Sequence, residues 1–215
     1  MSDLSSDVTV KAVLFDYGKV LSGPEKAESW LGMRELLELS EQKFHEMYWR
    51  YRDDYDRGTL SGTEYWQNIA RDVAFSLHDN RLLELKKLDV EMWTDLNPPM
   101  VEWAQRLKRA GIRTGILSNI GDAMEAGVRA KFPWVEEFTH VTWSHQLKMR
   151  KPEPAIYTAA AEGLGVEPGE VLFIDDREDN IAGAQAVGMV GVVYTRHGDF
   201  ERELERLGLG ALLRV

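Results

Sequence analysis

The chain has 215 residues, 44% of them hydrophobic and 29% charged, and a formal charge of −10. That supports a real core in one domain carrying a sizeable insertion, or in two small domains. It excludes the basic footprint that nucleic acid or an anionic membrane attracts, and the absence of cysteine excludes disulfide scaffolds, thiolate metal sites and a cysteine nucleophile.

The opening Met1-Ser2-Asp3-Leu4-Ser5-Ser6-Asp7 is polar and acidic, without the basic and apolar stretches of a secretory leader. No apolar run approaches the ~18 residues of a membrane span. The expectation is a soluble, cytoplasmic protein, a monomer or small homo-oligomer, with neither nucleic acid nor membrane as partner. Val8–Phe15 is the first predicted strand. From about Pro24 to Asn97 no strand is convincing, and amphipathic helices are predicted at Glu25–Leu39, Glu41–Tyr55, Ser61–Ala74 and Asp79–Trp93. Asp56-Arg57-Gly58-Thr59 reads as a turn, and Ser61-x-x-Glu64 as a capping box. The aromatic residues here, Tyr48, Tyr51 and Tyr55 among them, repeat at helical spacing, which favours packing over ligand stacking.

Beyond the helical interval, strands are predicted at Ile112–Leu117, Val171–Ile174 and Met189–Tyr194, with a weaker one at Phe138–Trp143. Helices over Met100–Ala110, Pro154–Leu164 and Asp179–Val187 separate them, two starting near proline and all stopping at glycine. Short apolar strands without alternation are buried on both faces. The predicted fold is α/β: a Rossmann-like, doubly wound parallel sheet (residues 1–22 and 98–215) with an all-helical cap (23–97) inserted after the first strand.

Ligands of an open parallel sheet bind outside the carboxyl ends of its strands. Strand one ends in Asp16-Tyr17-Gly18-Lys19, strand two in Ser118-Asn119, and the run Val171–Ile174 in Asp175-Asp176. Lys148-Met149-Arg150-Lys151-Pro152 follows the weak strand. Read singly, each residue has a plain structural role: an aspartate or Ser-Asn after a strand caps a helix, and a lysine sits in solvent. Together they form one chemistry. Asp16, Asp175 and Asp176 are clustered hard-oxygen ligands suited to Mg²⁺ with a substrate phosphate. An aspartate oxygen can attack phosphorus, and Ser118 and Lys151 can face the phosphoryl oxygens.

This pattern resembles the haloacid dehalogenase superfamily over nearly the whole chain, with Asp16-Tyr17-Gly18-Lys19-Val20, Ser118, Lys151 and Asp175-Asp176 with Asn180 standing for its four motifs in order. Leu147–Tyr157, the Asp-x-Gly-x-Val sequence and Arg57-Gly58-x-x-Ser61 are similar to the subgroup containing bacterial α-D-glucose-1-phosphate phosphatases, and the helical interval to the C1 cap of subfamily IA. The resemblance implies Asp16 as nucleophile and metal ligand, the Gly18 carbonyl and Asp176 as further ligands, and Asp175 as a ligand through water. It also implies Ser118 and Lys151 as phosphate holders, assisted by Asn119 and the backbone of Tyr17, Gly18 and Lys19. The implied reaction is Mg²⁺-dependent hydrolysis of a small phosphorylated metabolite such as a sugar phosphate.

One departure stands out. Phosphatases of this family usually carry an aspartate two residues after the nucleophile, as general acid and base; here it is Gly18. Such help is typically worth ~10²–10⁴-fold, so a slow phosphatase, a good leaving group or a donor from the cap is expected. Dehalogenase, phosphomutase and a phosphate-binding module with weak turnover remain the alternatives. Against the dehalogenase, Tyr17 follows Asp16 directly and the aspartate pair is intact. His140, His145 and Arg177 read as structural or surface residues.

Overall fold

In the computed structural model, which describes residues 9–215, the five predicted strands pair in one parallel sheet of order β3-β2-β1-β4-β5. They are β1 (Ala12–Phe15), β2 (Arg113–Ser118), β3 (His140–Trp143), β4 (Val171–Asp175) and β5 (Val190–Val193). The fold is the α/β, Rossmann-like one expected. Val8, with residues 1–7, lies outside the described residues. β1 is shorter than the run Val8–Phe15 because its partners begin late: Ala12 is level with both Arg113 and Val171.

Side chains of β1 alternate between two cores, as the period of a strand requires. Val13 and Phe15 face one core with Trp103 and Phe200; Ala12 and Leu14 face the other with Ile156, Tyr157 and Ala184. The first side is covered by α6 (Pro98–Arg109) and α11 (His197–Arg206), joined by α7 (Asp122–Lys131); the second by α9 (Pro154–Leu164) and α10 (Glu178–Ala186). Phe15 meets the Trp103 ring edge-on at 5.5 Å. Helices on both faces explain why the strands read as unbroken apolar runs.

Between β1 and α6 lie only helices: α1 (Ala27–Leu36), α2 (Glu41–Arg50), α3 (Arg52–Arg57), α4 (Gly62–Asp72) and α5 (Asp79–Glu91). The chain leaves and returns side by side, Gly23 N donating to Asp95 O and Asn97 N to Leu21 O. Ser61 and Glu64 form the expected capping box on α4. The predicted helix Glu41–Tyr55 is two, broken where Tyr51 leaves helical geometry (φ −112°, ψ 4°). Asp56 and Arg57, read as a turn, close α3, and only Gly58 turns, in the left-handed region at φ 77°. A Cβ there would also stand 2.5 Å from the His145 carbonyl in α8 (Ser144–Leu147), so the close approach requires glycine twice over. No helix among the described residues is long and apolar enough to cross a membrane.

Candidate active site

The strand order places the ends of β2, β1 and β4 next to one another, and with them Ser118, Asp16 and Asp175. The loop after α8 returns Lys151 across this edge. Asn119 pins it: its side-chain amide donates to the Lys151 carbonyl at 3.0 Å and accepts from the Lys151 N–H at 2.8 Å. The Lys151 ammonium, 1% exposed, therefore sits between two carboxylates, 2.9 Å from Asp16 Oδ1 and 2.6 Å from Asp175 Oδ2. Asp175 is sealed; its Oδ1 accepts from Asn180 Nδ2 and the Arg177 N–H, both at 2.9 Å. Oxygens of Asp16, Asp175 and Asp176 all lie within 4.8 Å of one another.

Three carboxylates around one ammonium leave a surplus of negative charge, and burial makes it costly. Burial pushes the Asp16 carboxyl up to about 7 against the pull of Lys151, with Asp175 adding to the rise. Asp176 is raised by burial and then by Asp175. Burial works against the charge on Lys151, but Asp16 and Asp175 outweigh it and hold the amine above its ordinary value. A hard-oxygen cluster short of positive charge fits a divalent cation of the Mg²⁺ type.

A pocket of about 520 Å³ opens over this cluster, within the range of small-molecule sites. Asp16, Tyr17, Gly18, Lys19, Ser118, Asn119, Lys151 and Asp176 all line it. Ser118, 5% exposed, stands at the end of β2 in this lining. Asn119 lines the pocket while its side chain holds the Lys151 backbone. Tyr17 keeps its own N–H on Asp16 Oδ1 at 2.7 Å and sends its hydroxyl to Trp93 O at 2.9 Å. Lys19, at φ 58°, pairs with Glu25 at 2.8 Å, and its N–H goes to Ser22 Oγ.

A family profile, described as haloacid dehalogenase-like hydrolase, matches residues 10–188. The chain belongs to this family. Among relatives of this hydrolase, (S)-2-haloacid dehalogenase 1 of Pseudomonas sp. (strain CBS-3) is 32% identical over 157 residues, 69% of each chain. Phosphatase MT3486 of Mycobacterium tuberculosis is 26% identical over 211 residues, 94% of this chain and 96% of its own. The chain spans 39% of the bifunctional epoxide hydrolase 2 of Sus scrofa, at 26% identity over 216 residues. Its fold matches a HAD family enzyme of Bacteroides thetaiotaomicron, solved with magnesium and inorganic phosphate, at TM-score 0.75 and 24% identity over 90% of this chain and 98% of that one.

Sequence reasoning missed the opposite wall of the pocket: Trp49, Arg52, Asp53, Asp56 and Trp93 from the helical insertion, and Arg150 beside Lys151. Arg52 carried a signal. It sits within the stripe of Tyr48 and Tyr55, and a charge at an apolar position of a helix needs buried partners. Other aromatics of the helical insertion behave as packing: Phe44, Tyr48, Tyr55, Tyr65 and Trp66 are buried, and Trp30 and Tyr51 partly so. His145 is satisfied by Glu125, and Arg177, exposed and paired with Asp179, also reaches the pocket lining.

Proposed function

We propose that the chain is a phosphatase of small phosphorylated metabolites, sugar phosphates foremost, working with Mg²⁺ and an aspartyl-phosphate on Asp16. The observation that carries it is the Lys151 ammonium fixed between Asp16 and Asp175 at the floor of the pocket. Asp16 Oδ1 is held by the Tyr17 N–H and Lys151, which leaves Oδ2 as the attacking oxygen. It bonds to phosphorus as the ester P–O bond breaks; water then cleaves the acyl phosphate, releasing inorganic phosphate and returning Asp16. Ser118 and Lys151 hold phosphoryl oxygens, and Asn119 acts through Lys151. Asp16, Asp176, the Gly18 carbonyl and, through water, Asp175 are the groups that would hold the metal. When bound, Mg²⁺ supplies positive charge opposite the phosphoryl oxygens. Residues 23–97 are the cap that closes the pocket over residues 1–22 and 98–215.

A second reading, displacement of halide from a 2-haloacid by the same carboxylate, is favoured by the identity to the Pseudomonas dehalogenase. The surplus of carboxylate charge beside Asp16 favours the metal-dependent phosphatase. Phosphate release from p-nitrophenyl phosphate with and without Mg²⁺, beside chloride release from 2-chloropropionate, separates the two. Phosphate release that needs Mg²⁺ is expected, and Asp16→Asn lowers it at least about 10⁴-fold, as loss of a nucleophile does. Near-native rates in the folded variant would overturn covalent catalysis by Asp16.

A further inference from the structure

One wall of the pocket is built from the end of α2 and from α3. Trp49 lies in the last turn of α2, Arg52 and Asp56 are one turn apart on α3, and all three line the pocket. Their states differ. Trp49 is 48% exposed, unlike the packed cap aromatics. The Arg52 side chain is 8% exposed and rigidly held: Nε donates to Asp56 Oδ1 at 2.9 Å, and Nη1 serves the Tyr48 hydroxyl and Asp89. Its guanidinium also lies over the rings of Tyr48 and Tyr55, 5.2 and 5.3 Å from their centroids.

This leaves one donor and one acceptor outside these bonds. The bonds that hold the pair use Arg52 Nε and Nη1 and Asp56 Oδ1, not Arg52 Nη2 or Asp56 Oδ2, and neither of these two atoms is among the sealed unpartnered ones. Because Nε and Oδ1 already join the two side chains, Nη2 and Oδ2 belong to one fixed ion pair.

We propose that Trp49, Arg52 and Asp56 form the subsite for the leaving group, and that it takes a neutral polyol carrying adjacent hydroxyls: one accepts from Arg52 Nη2, its neighbour donates to Asp56 Oδ2, and the carbon face rests on Trp49. This deepens the phosphatase reading and rests on it. Charge selects the neutral group. The wall carries two arginines, Arg52 and Arg150, and two aspartates, Asp53 and Asp56, with Arg150 and Asp53 paired at 2.8 Å. No net positive charge remains for a carboxylate, and Asp53 and Asp56 would repel one. Hydroxyls match a mixed donor and acceptor pair. A site built to bond a hydroxyl discriminates strongly against the analogue lacking it, because its own polar atoms are then left bare.

The test compares kcat/KM for glucose 6-phosphate and ribose 5-phosphate with their 2-deoxy analogues and with 3-phosphoglycerate, using p-nitrophenyl phosphate as the probe of the reaction itself. At least one sugar phosphate is expected to exceed its deoxy analogue tenfold or more, and 3-phosphoglycerate to be the poorest. Asp56→Asn keeps an acceptor for Arg52 Nε but turns a donor to the pocket, and should collapse the sugar-to-deoxy ratio towards one. Trp49→Ala, at an exposed position, should raise KM for the sugar phosphates more than it lowers kcat. Equal use of parent and deoxy sugars, preference for 3-phosphoglycerate, or a ratio unmoved in folded Asp56→Asn overturns the subsite while p-nitrophenyl phosphate hydrolysis upholds the reaction. Absence of that hydrolysis overturns the reaction, and the subsite as a leaving-group site with it.

Discussion

Two buried clusters, one at the strand ends and one in the helical insertion, share a design and differ in its completion. In each, a nearly sealed cation lies between two carboxylates: Lys151 between Asp16 and Asp175, and Arg52 between Asp56 and Asp89. The insertion's cluster carries the smaller surplus, two carboxylates to one guanidinium, and the fork of Arg52 also takes the Tyr48 hydroxyl and lies over two phenol rings. At the strand ends a third carboxylate, Asp176, joins the group, and the pull of Lys19 and Lys151 does not cancel the effect of burial and Asp175 on it. The smaller surplus suits a wall that meets a neutral group; the larger one calls for a cation.

The strongest way to break this distinction is to remove each cation. Lys151→Met and Arg52→Met should each destabilise the fold by about 3–5 kcal/mol, since each leaves buried carboxylates without a partner. Urea denaturation measures both. The two should then part: Mg²⁺ is expected to restore some stability to Lys151→Met and none to Arg52→Met. Turnover of p-nitrophenyl phosphate should fall by about 10²–10³-fold in the first, as for loss of one preorganised donor at the reacting group, and by less in the second. Equal rescue of both variants would mean that the strand-end cluster has no special appetite for a cation.

The two regions also differ in how far the sequence disclosed them. Asp16, Ser118 and Asp175 were legible because each interrupts an apolar strand at its carboxyl end, and parallel pairing brings those ends together whatever the details of packing. Lys151 was legible only as a basic residue before Pro152; its position depends on the Asn119 clamp, which no local pattern encodes. The insertion's helices were visible through their periodicity, yet the break at Tyr51 was not, since neither proline nor glycine marks it. The seating of α3, and with it Arg52 and Asp56, depends on the close approach to α8 that Gly58 allows and on contacts such as Arg150 to Asp53. Pairing of a sheet propagates in register, whereas the seating of a helix depends on contacts far away in sequence.

A smaller effect sharpens the picture of the insertion. Burial pushes Asp56 up to about 6, with Arg52 opposing, Asp89 adding and Arg150 opposing. The folded chain thus holds this proton more tightly than the unfolded one, whose carboxyl titrates near 3.9. The stability contributed is fully present below about pH 4 and is lost as pH rises through about 6, amounting to roughly 3 kcal/mol at most. Asp56→Asn does not titrate there. Between pH 4 and 7 its stability relative to the parent should therefore rise by up to that amount, measured by denaturant titration at several pH values. A flat difference would make Asp56 an ordinary ionised partner of Arg52.

The smallest effect concerns Gly18, where the two regions touch. Its backbone (φ −64°, ψ 129°) suits any residue, and an added Cβ would meet the Trp93 ring at 3.7 Å, an ordinary contact. Glycine is therefore not imposed by sterics at Cβ, and Gly18→Asp should fold. A carboxyl beside the nucleophile supplies the proton that a poor leaving group needs, so turnover of glucose 6-phosphate relative to p-nitrophenyl phosphate should rise, by up to about 10²-fold, the lower end of general acid help. If chemistry resides at the strand ends and recognition in the insertion, this gain should persist in the double variant with Asp56→Asn, the two changes multiplying as independent sites do. A gain that vanishes in the double variant would show that Asp56 already takes part in proton transfer, and the division between the two clusters would fail.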